Sequence, residues 1–135
     1  MSTARLFRVI LPVRDIARAA AFWSGVLETP GIRVSPGRHY FACSGTLLAC
    51  YDPVADGDEL GDGWHHHPSQ YLYFAVDDLE RVAERLAAAG AREQTPIATM
   101  PWGERMLYAL DPFDTPISFV DAATLFTGTA PGGPG

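Results

Sequence analysis

Cysteine is scarce in this chain, long apolar runs are missing, and positive charge is outnumbered; each shortage removes a class of protein. The only two cysteines, Cys43 and Cys50, fall in apolar, strand-like runs. Two buried free thiols in a reducing cytoplasm are expected, not a disulfide framework. No apolar stretch nears the roughly 20 residues a membrane-spanning helix needs. Met1-Ser2-Thr3-Ala4-Arg5 runs straight into a strand-like segment, so no signal peptide is visible. Ten basic residues against 16 acidic ones, a formal charge of −6, argue against nucleic acid, whose phosphates demand a basic face. A neutral or cationic small molecule suits that balance better. What remains is an ordinary globular mixture, 47% hydrophobic over 135 residues, enough for one self-supporting core.

Along the chain, Leu6 to Val13 is a β-rich run with one charge inside it, Arg8. Asp15 is placed to cap a helix with Ile16, Ala19, Ala20, Trp23, Val26 and Leu27 on one face, stopped by Pro30-Gly31. Ile32-Arg33-Val34 reads as a short strand. His39 to Cys43 and Thr46 to Tyr51 read as a hairpin turning at Ser44-Gly45. Prolines, glycines, five acids and His65-His66-His67 crowd the stretch from Asp52 to Ser69, which reads as a linker. Gln70 to Val76 is again strand-like. Asp77 or Asp78 caps a second helix with Leu79, Val82, Ala83, Leu86 and Ala87 on one face, ended by Gly90. A short strand near Arg92 to Thr95 precedes a second hairpin, Arg105 to Leu110 with Pro116 to Val120. The Gly/Pro-rich tail, 128–135, is expected to be disordered.

The order of elements repeats, and so do residues. Val13-Arg14-Asp15-Ile16 returns 63 positions later as Val76-Asp77-Asp78-Leu79, and Thr46 to Asp52 returns 69 positions later as Thr115 to Asp121. The chain is therefore read as one duplicated domain over 1–127, with module one at 5–52, a linker at 53–69 and module two at 70–122. The expected class is α+β: two βαβββ modules forming curved mixed sheets around a cavity, with helices on the outer faces.

Over residues 6 to 122 the sequence resembles the vicinal oxygen chelate superfamily of glyoxalases, bleomycin-resistance proteins and extradiol dioxygenases. The carriers are Val13-Arg14-Asp15, Val76-Asp77-Asp78, Pro101-Trp102-Gly103-Glu104-Arg105 and Asp111-Pro112-Phe113. Members usually turn with Gly-Asn after Asp-Pro-x; here Asp114-Thr115 stands instead, which implies strain or a different turn. The resemblance places metal ligands on the first and last strand of each module, here Arg8, Ala49, Tyr71 and Ser118. A fixed cation, a methyl group, a phenol and a hydroxyl do not make a divalent-metal site. No metal and no cofactor are expected. Three consecutive histidines alternate in direction and read as a solvated loop, with one ring packed by Trp64. Asp56-Gly57-Asp58-Glu59 reads as a charged connector.

Strand alternation assigns faces. Phe7, Val9, Leu11 and Val13 should meet the first helix, leaving Arg8, Ile10 and Pro12 on the open face. Leu72, Phe74 and Val76 should meet the second, leaving Tyr71, Tyr73 and Ala75. The closing strands leave Leu47, Ala49 and Tyr51, and Pro116, Ser118 and Val120. A two-residue turn sets Tyr40 opposite Ala49, and Tyr108 should face Ser118. All five tyrosines, Tyr40, Tyr51, Tyr71, Tyr73 and Tyr108, then point into one cavity, with Arg8 as cationic anchor for a carboxylate or enolate oxygen, or else paired with Glu104. Trp102 walls the mouth or packs its loop; His39 and Arg105 face outward. The expected function is a metal-independent small-molecule-binding protein of the glyoxalase/bleomycin-resistance type, a homodimer holding an aromatic or amphipathic ligand. The alternative is a metal-free isomerase, lyase or oxygenase-like enzyme, with Arg8 stabilising an oxyanion and Tyr71 or Tyr108 as acid.

Overall fold

A computed structural model describes residues 4–61 and 64–126; the tail expected at 128–135 lies outside the described residues. Module one holds β1 (Arg8–Pro12), α1 (Ile16–Leu27), β2 (Ile32–Ser35), β3 (Arg38–Cys43) and β4 (Thr46–Tyr51). Its sheet runs β1-β4-β3-β2, with β1 parallel to β4 and the other pairs antiparallel. Module two holds β5 (Leu72–Val76), α2 (Leu79–Ala89), β6 (Ala98–Thr99), β7 (Arg105–Leu110) and β8 (Pro116–Asp121) in the matching order β5-β8-β7-β6. A 3₁₀ turn, Ala122–Thr124, follows. The two-module βαβββ fold is the one the internal repeat implies.

Each helix starts where its aspartate stands. Asp15 and Asp78 accept from the backbone N–H three residues on, at Arg18 and Arg81, each at 3.1 Å. Of the apolar face read for α1, Ile16, Ala19, Trp23 and Val26 are buried, and Phe22 joins them. The helix ends earlier than Pro30-Gly31, because Glu28 turns left-handed at φ 56. Gly90 ends α2 at φ 88, as expected. Ser44 (φ 50) and Gly45 (φ 101) are both left-handed, the requirement of a two-residue hairpin whose twist matches the strands.

Two local expectations fail. The segment from Arg92 to Thr95 is not a strand: Arg92 makes one bridge, to Leu110, and the paired strand is only Ala98–Thr99. Glu93 at φ 51 and Pro96, which has no N–H to donate, break the run. Phe7 is not under α1 either. It precedes β1 and is 48% exposed.

The beginning of the linker is tied to the first module. Asp52 Oδ1 accepts from Val54 N and Ala55 N, and Asp56 gathers Ser35 Oγ at 2.8 Å, Gly37 N at 2.6 Å and the Arg38 guanidinium. Trp64 packs edge-on against Tyr51, with ring centroids 5.3 Å apart, and not on a histidine.

The modules meet through their helices. Trp23 of α1 lies 5.5 Å from the Phe74 ring of β5, and residues of both helices share one core. Glu28 accepts from Arg81 at 2.6 Å, while Arg85 Nε donates to Gly25 O at 2.6 Å. The ladders themselves stay separate, so β1 and β5 are outer strands. Between them runs a mostly apolar cleft of about 620 Å³, lined by Leu6 and Val9 on one side and all of β5 on the other. Both sheets turn a helix-free face outward. Among the described residues no helix is long and apolar enough to cross a membrane.

Candidate binding faces

The register puts side chains on the faces that alternation assigns. Arg8, Ile10 and Pro12 pair with Leu47, Ala49 and Tyr51, and Tyr40 stands opposite Ala49. Tyr73 pairs with Ser118 from one side and Tyr108 from the other.

On the second sheet Tyr71, Tyr73 and Tyr108 form a trio. The Tyr71–Tyr108 and Tyr73–Tyr108 pairs are edge-on at 5.8 and 6.3 Å, and Tyr71–Tyr73 is tilted at 6.4 Å. Such geometries suit the ring quadrupoles. Ser118 is fully buried beside them, and its hydroxyl donates to Leu107 O at 2.9 Å. The Tyr73 and Tyr108 hydroxyls lie 3.4 Å apart. That hydrogen bond, with desolvation behind it, pushes the Tyr73 phenol up to about 12, so it keeps its proton at neutral pH. Tyr71 and Tyr73 remain about half exposed.

On the first sheet the Arg8 guanidinium lies near two rings, 5.1 Å from the Phe7 centroid and 5.4 Å from that of Tyr40. Glu104, the carboxylate considered for it, instead accepts from Trp102 Nε1 at 2.7 Å and Phe126 N at 3.0 Å. Arg8 therefore carries its charge on an open face, beside Ile10, without a carboxylate partner among the described residues.

The nine residues expected to share one hollow do not converge within the chain. Arg8, Tyr40 and Ala49 belong to the first face; Tyr71, Tyr73, Tyr108 and Ser118 belong to the second. Tyr51 is taken up elsewhere: Arg38 covers its ring at 4.1 Å and its hydroxyl donates to Asp58, the main reason its phenol is pushed up. Trp102 is exposed and tied to its own loop. Only Tyr71 and Tyr73 reach the clefts along the seam. The second of these, about 500 Å³, runs between Ile10, Tyr71 and the three histidines.

The donor chemistry at the superfamily's metal positions does not fit a divalent cation. Arg8 and Ala49 offer none on one sheet, and on the other Ser118 spends its proton on a carbonyl beside a phenol. Among the described residues no three His, Cys, Asp or Glu side chains group to hold an ion. His66 Nε2 bonds Gln70 O, and His67 Nδ1 accepts from Ser69 N. His39 is structural as well. Arg33 Nε donates to its Nδ1 at 3.1 Å, which leaves Nε2–H for Pro30 O at 2.8 Å. Both cysteines are free, and burial raises their thiols, Cys50 to about 12, so neither is an activated nucleophile.

Sequence reasoning missed Arg5, whose guanidinium lies 5.7 Å from the centroid of the same Phe7 ring. The Arg-Leu-Phe-Arg spacing was a signal, but only the observed backbone ahead of β1 gives it meaning.

The fold and these faces define a class. The family model of the Glyoxalase/Bleomycin resistance protein/Dioxygenase superfamily matches residues 5–119, and the chain belongs to that superfamily. A glyoxalase/bleomycin resistance protein/dioxygenase from Nocardioides is 22% identical, with all of this chain and 92% of that one covered and a TM-score of 0.69. A glyoxalase-related enzyme from Fulvimarina pelagi is 19% identical, with 87% of each chain covered and a TM-score of 0.69. An antibiotic binding protein from Streptomyces sp. CB03234 is 20% identical, with 90% of this chain and 98% of that one covered and a TM-score of 0.68. At such identities the likeness is one of fold. No curated protein matches the chain.

Proposed function

We propose that this protein binds small aromatic or amphipathic molecules without a metal, and that two copies complete each site, the first sheet of one chain closing over the second sheet of its partner. The carrying observation is that each chain has two incomplete open faces, one bearing an unneutralised Arg8 and the other the tyrosine trio. Ile10 at 44% exposure and Tyr73 at 53% leave apolar area that association would cover. Three phenols supply flat area and hydrogen-bonding tips, the mix a small-molecule pocket uses. The antibiotic binding relative from Streptomyces bears a name that agrees with this reading. Two unbonded cysteines suit a reducing cytoplasm, the compartment we propose for it.

Binding is favoured over catalysis. Arg8 meets aromatic rings and, among the described residues, no phenol hydroxyl, while the Tyr108 hydroxyl, one of the two acids a catalytic reading would use, faces that of Tyr73 at 3.4 Å on the other sheet. The test joins light scattering with a thermal-shift screen of aromatic metabolites and antibiotics. A dimer is expected, with stabilisation by a bound compound that falls in both Arg8→Met and Tyr73→Ala proteins and survives EDTA. A monomer that binds equally well removes the shared site. Stoichiometric zinc, nickel or iron in untagged protein overturns metal independence.

A further inference from the structure

The ten basic residues are all arginines, and most are spent. Arg38, Arg81, Arg85, Arg92 and Arg105 pair with carboxylates, and Arg33 donates to His39. Arg5, Arg8, Arg14 and Arg18 make no ion pair among the described residues, and of these four only Arg5 and Arg8 lie over aromatic rings. Neither has a carboxylate within ion-pair distance among the described residues, and both lie over the Phe7 ring, with the Tyr40 ring also within cation–π distance of Arg8.

A guanidinium stacked on a ring uses its π face and leaves the N–H edge unspent. The rings also restrict the side chains before any ligand arrives, which lowers the entropy cost of binding. The supporting backbone is fixed although it precedes β1: Thr46 Oγ1 donates to Leu6 O and Leu47 N to Phe7 O, each at 2.7 Å. We infer that Arg5 and Arg8 form an oxyanion clamp at the entry of β1, so that the molecule held on this face carries a carboxylate or phosphoryl group beside its aromatic part. The inference rests on the binding reading above and narrows it. The overall charge of −6 does not oppose it, because screening over about 8 Å lets local charge decide.

Three probes that share a phenyl ring separate the possibilities: benzamide is neutral, benzoate a planar monoanion and phenylphosphonate a tetrahedral group with up to two charges. Titration of the full chain by calorimetry should show both anions binding tighter than benzamide, with the difference shrinking in 0.5 M salt as ~3 to 5 Å screening sets in. Arg8→Met should weaken both anions by about tenfold and spare benzamide. Arg5→Met should weaken phenylphosphonate more than benzoate if the source is phosphoryl, and both alike if it is carboxylate. Arg5→Lys, which keeps the charge, should recover part of the loss. Benzamide binding as tightly as the anions, or anion binding indifferent to both Met variants, overturns the clamp and leaves the binding reading standing. Failure of all three probes sinks both.

Discussion

Asp56 and Asp111 show how differently two carboxylates can be held. Burial works against the charge on Asp56, but the Gly37 N–H, the Ser35 hydroxyl and Arg38 outweigh it and hold its carboxyl below the usual range. A lowered folded-state pKa stabilises above the unfolded value of about 4 and is lost as pH falls through the folded value. Asp56→Asn should therefore flatten the acid limb of a melting-temperature profile below about pH 5. Asp111 runs the other way. Burial raises its carboxyl, although the N–H groups of Thr115 and Phe113 pull it down, so its contribution is full below about pH 4 and is lost as pH rises through its raised value. Asp111→Asn, which keeps an acceptor, should melt no lower than the parent at pH 7. Asp111→Ala strands one buried and one part-buried donor, each at 2.8 Å from Oδ1, and should cost about 2 kcal/mol in urea unfolding. Strand parity was enough to place Arg8, the tyrosine trio and Ser118 on their faces. The roles of Asp56 and Arg5 were hidden, because their partners are distant in sequence or precede any regular strand.

At the level of elements, capping and turn chemistry carried most of the information. Asp15, Asp78, Gly90 and Ser44-Gly45 stand where the sequence put the boundaries, since each satisfies a local backbone requirement that a short window contains. The strand read at 92–95 failed because pairing with β7 is a tertiary choice. Two substitutions probe these local demands. A Cβ on Gly37 would lie 2.1 Å from Asp52 O, with the Asp56 carboxyl at 3.0 Å, so Gly37→Ala should loosen the linker anchor and cost about 2 kcal/mol. Asp114 sits at φ 65, a left-handed backbone that favours glycine, and its ion pair with Arg92 is exposed. Asp114→Gly should raise stability by about 0.5 kcal/mol, read from the denaturation midpoint.

For the whole molecule, the duplication was legible because both copies of the strand–Asp–helix entry survive, but the way the copies sit together was not. No repeat reveals that α1 lies along α2, and without that the five tyrosines are easily assigned to one hollow. The helix contact is close. A Cβ at Gly25 would meet Ala89 Cβ at 3.7 Å, ordinary van der Waals contact. Gly25→Ala should therefore fit and add about 0.5 kcal/mol by removing a glycine from the last turn of α1, whereas Gly25→Leu should wedge the helices and lower the melting point.

Among the described residues no sheet ladder crosses the seam between β1 and β5, and the modules are joined by their packed helices. One half can therefore rock against the other by sliding packed helices, without breaking a backbone pair. Such a movement would be resisted by the packed helix side chains and by the Glu28–Arg81 and Arg85–Gly25 contacts that tie the helices together, all of them replaceable as the helices shift.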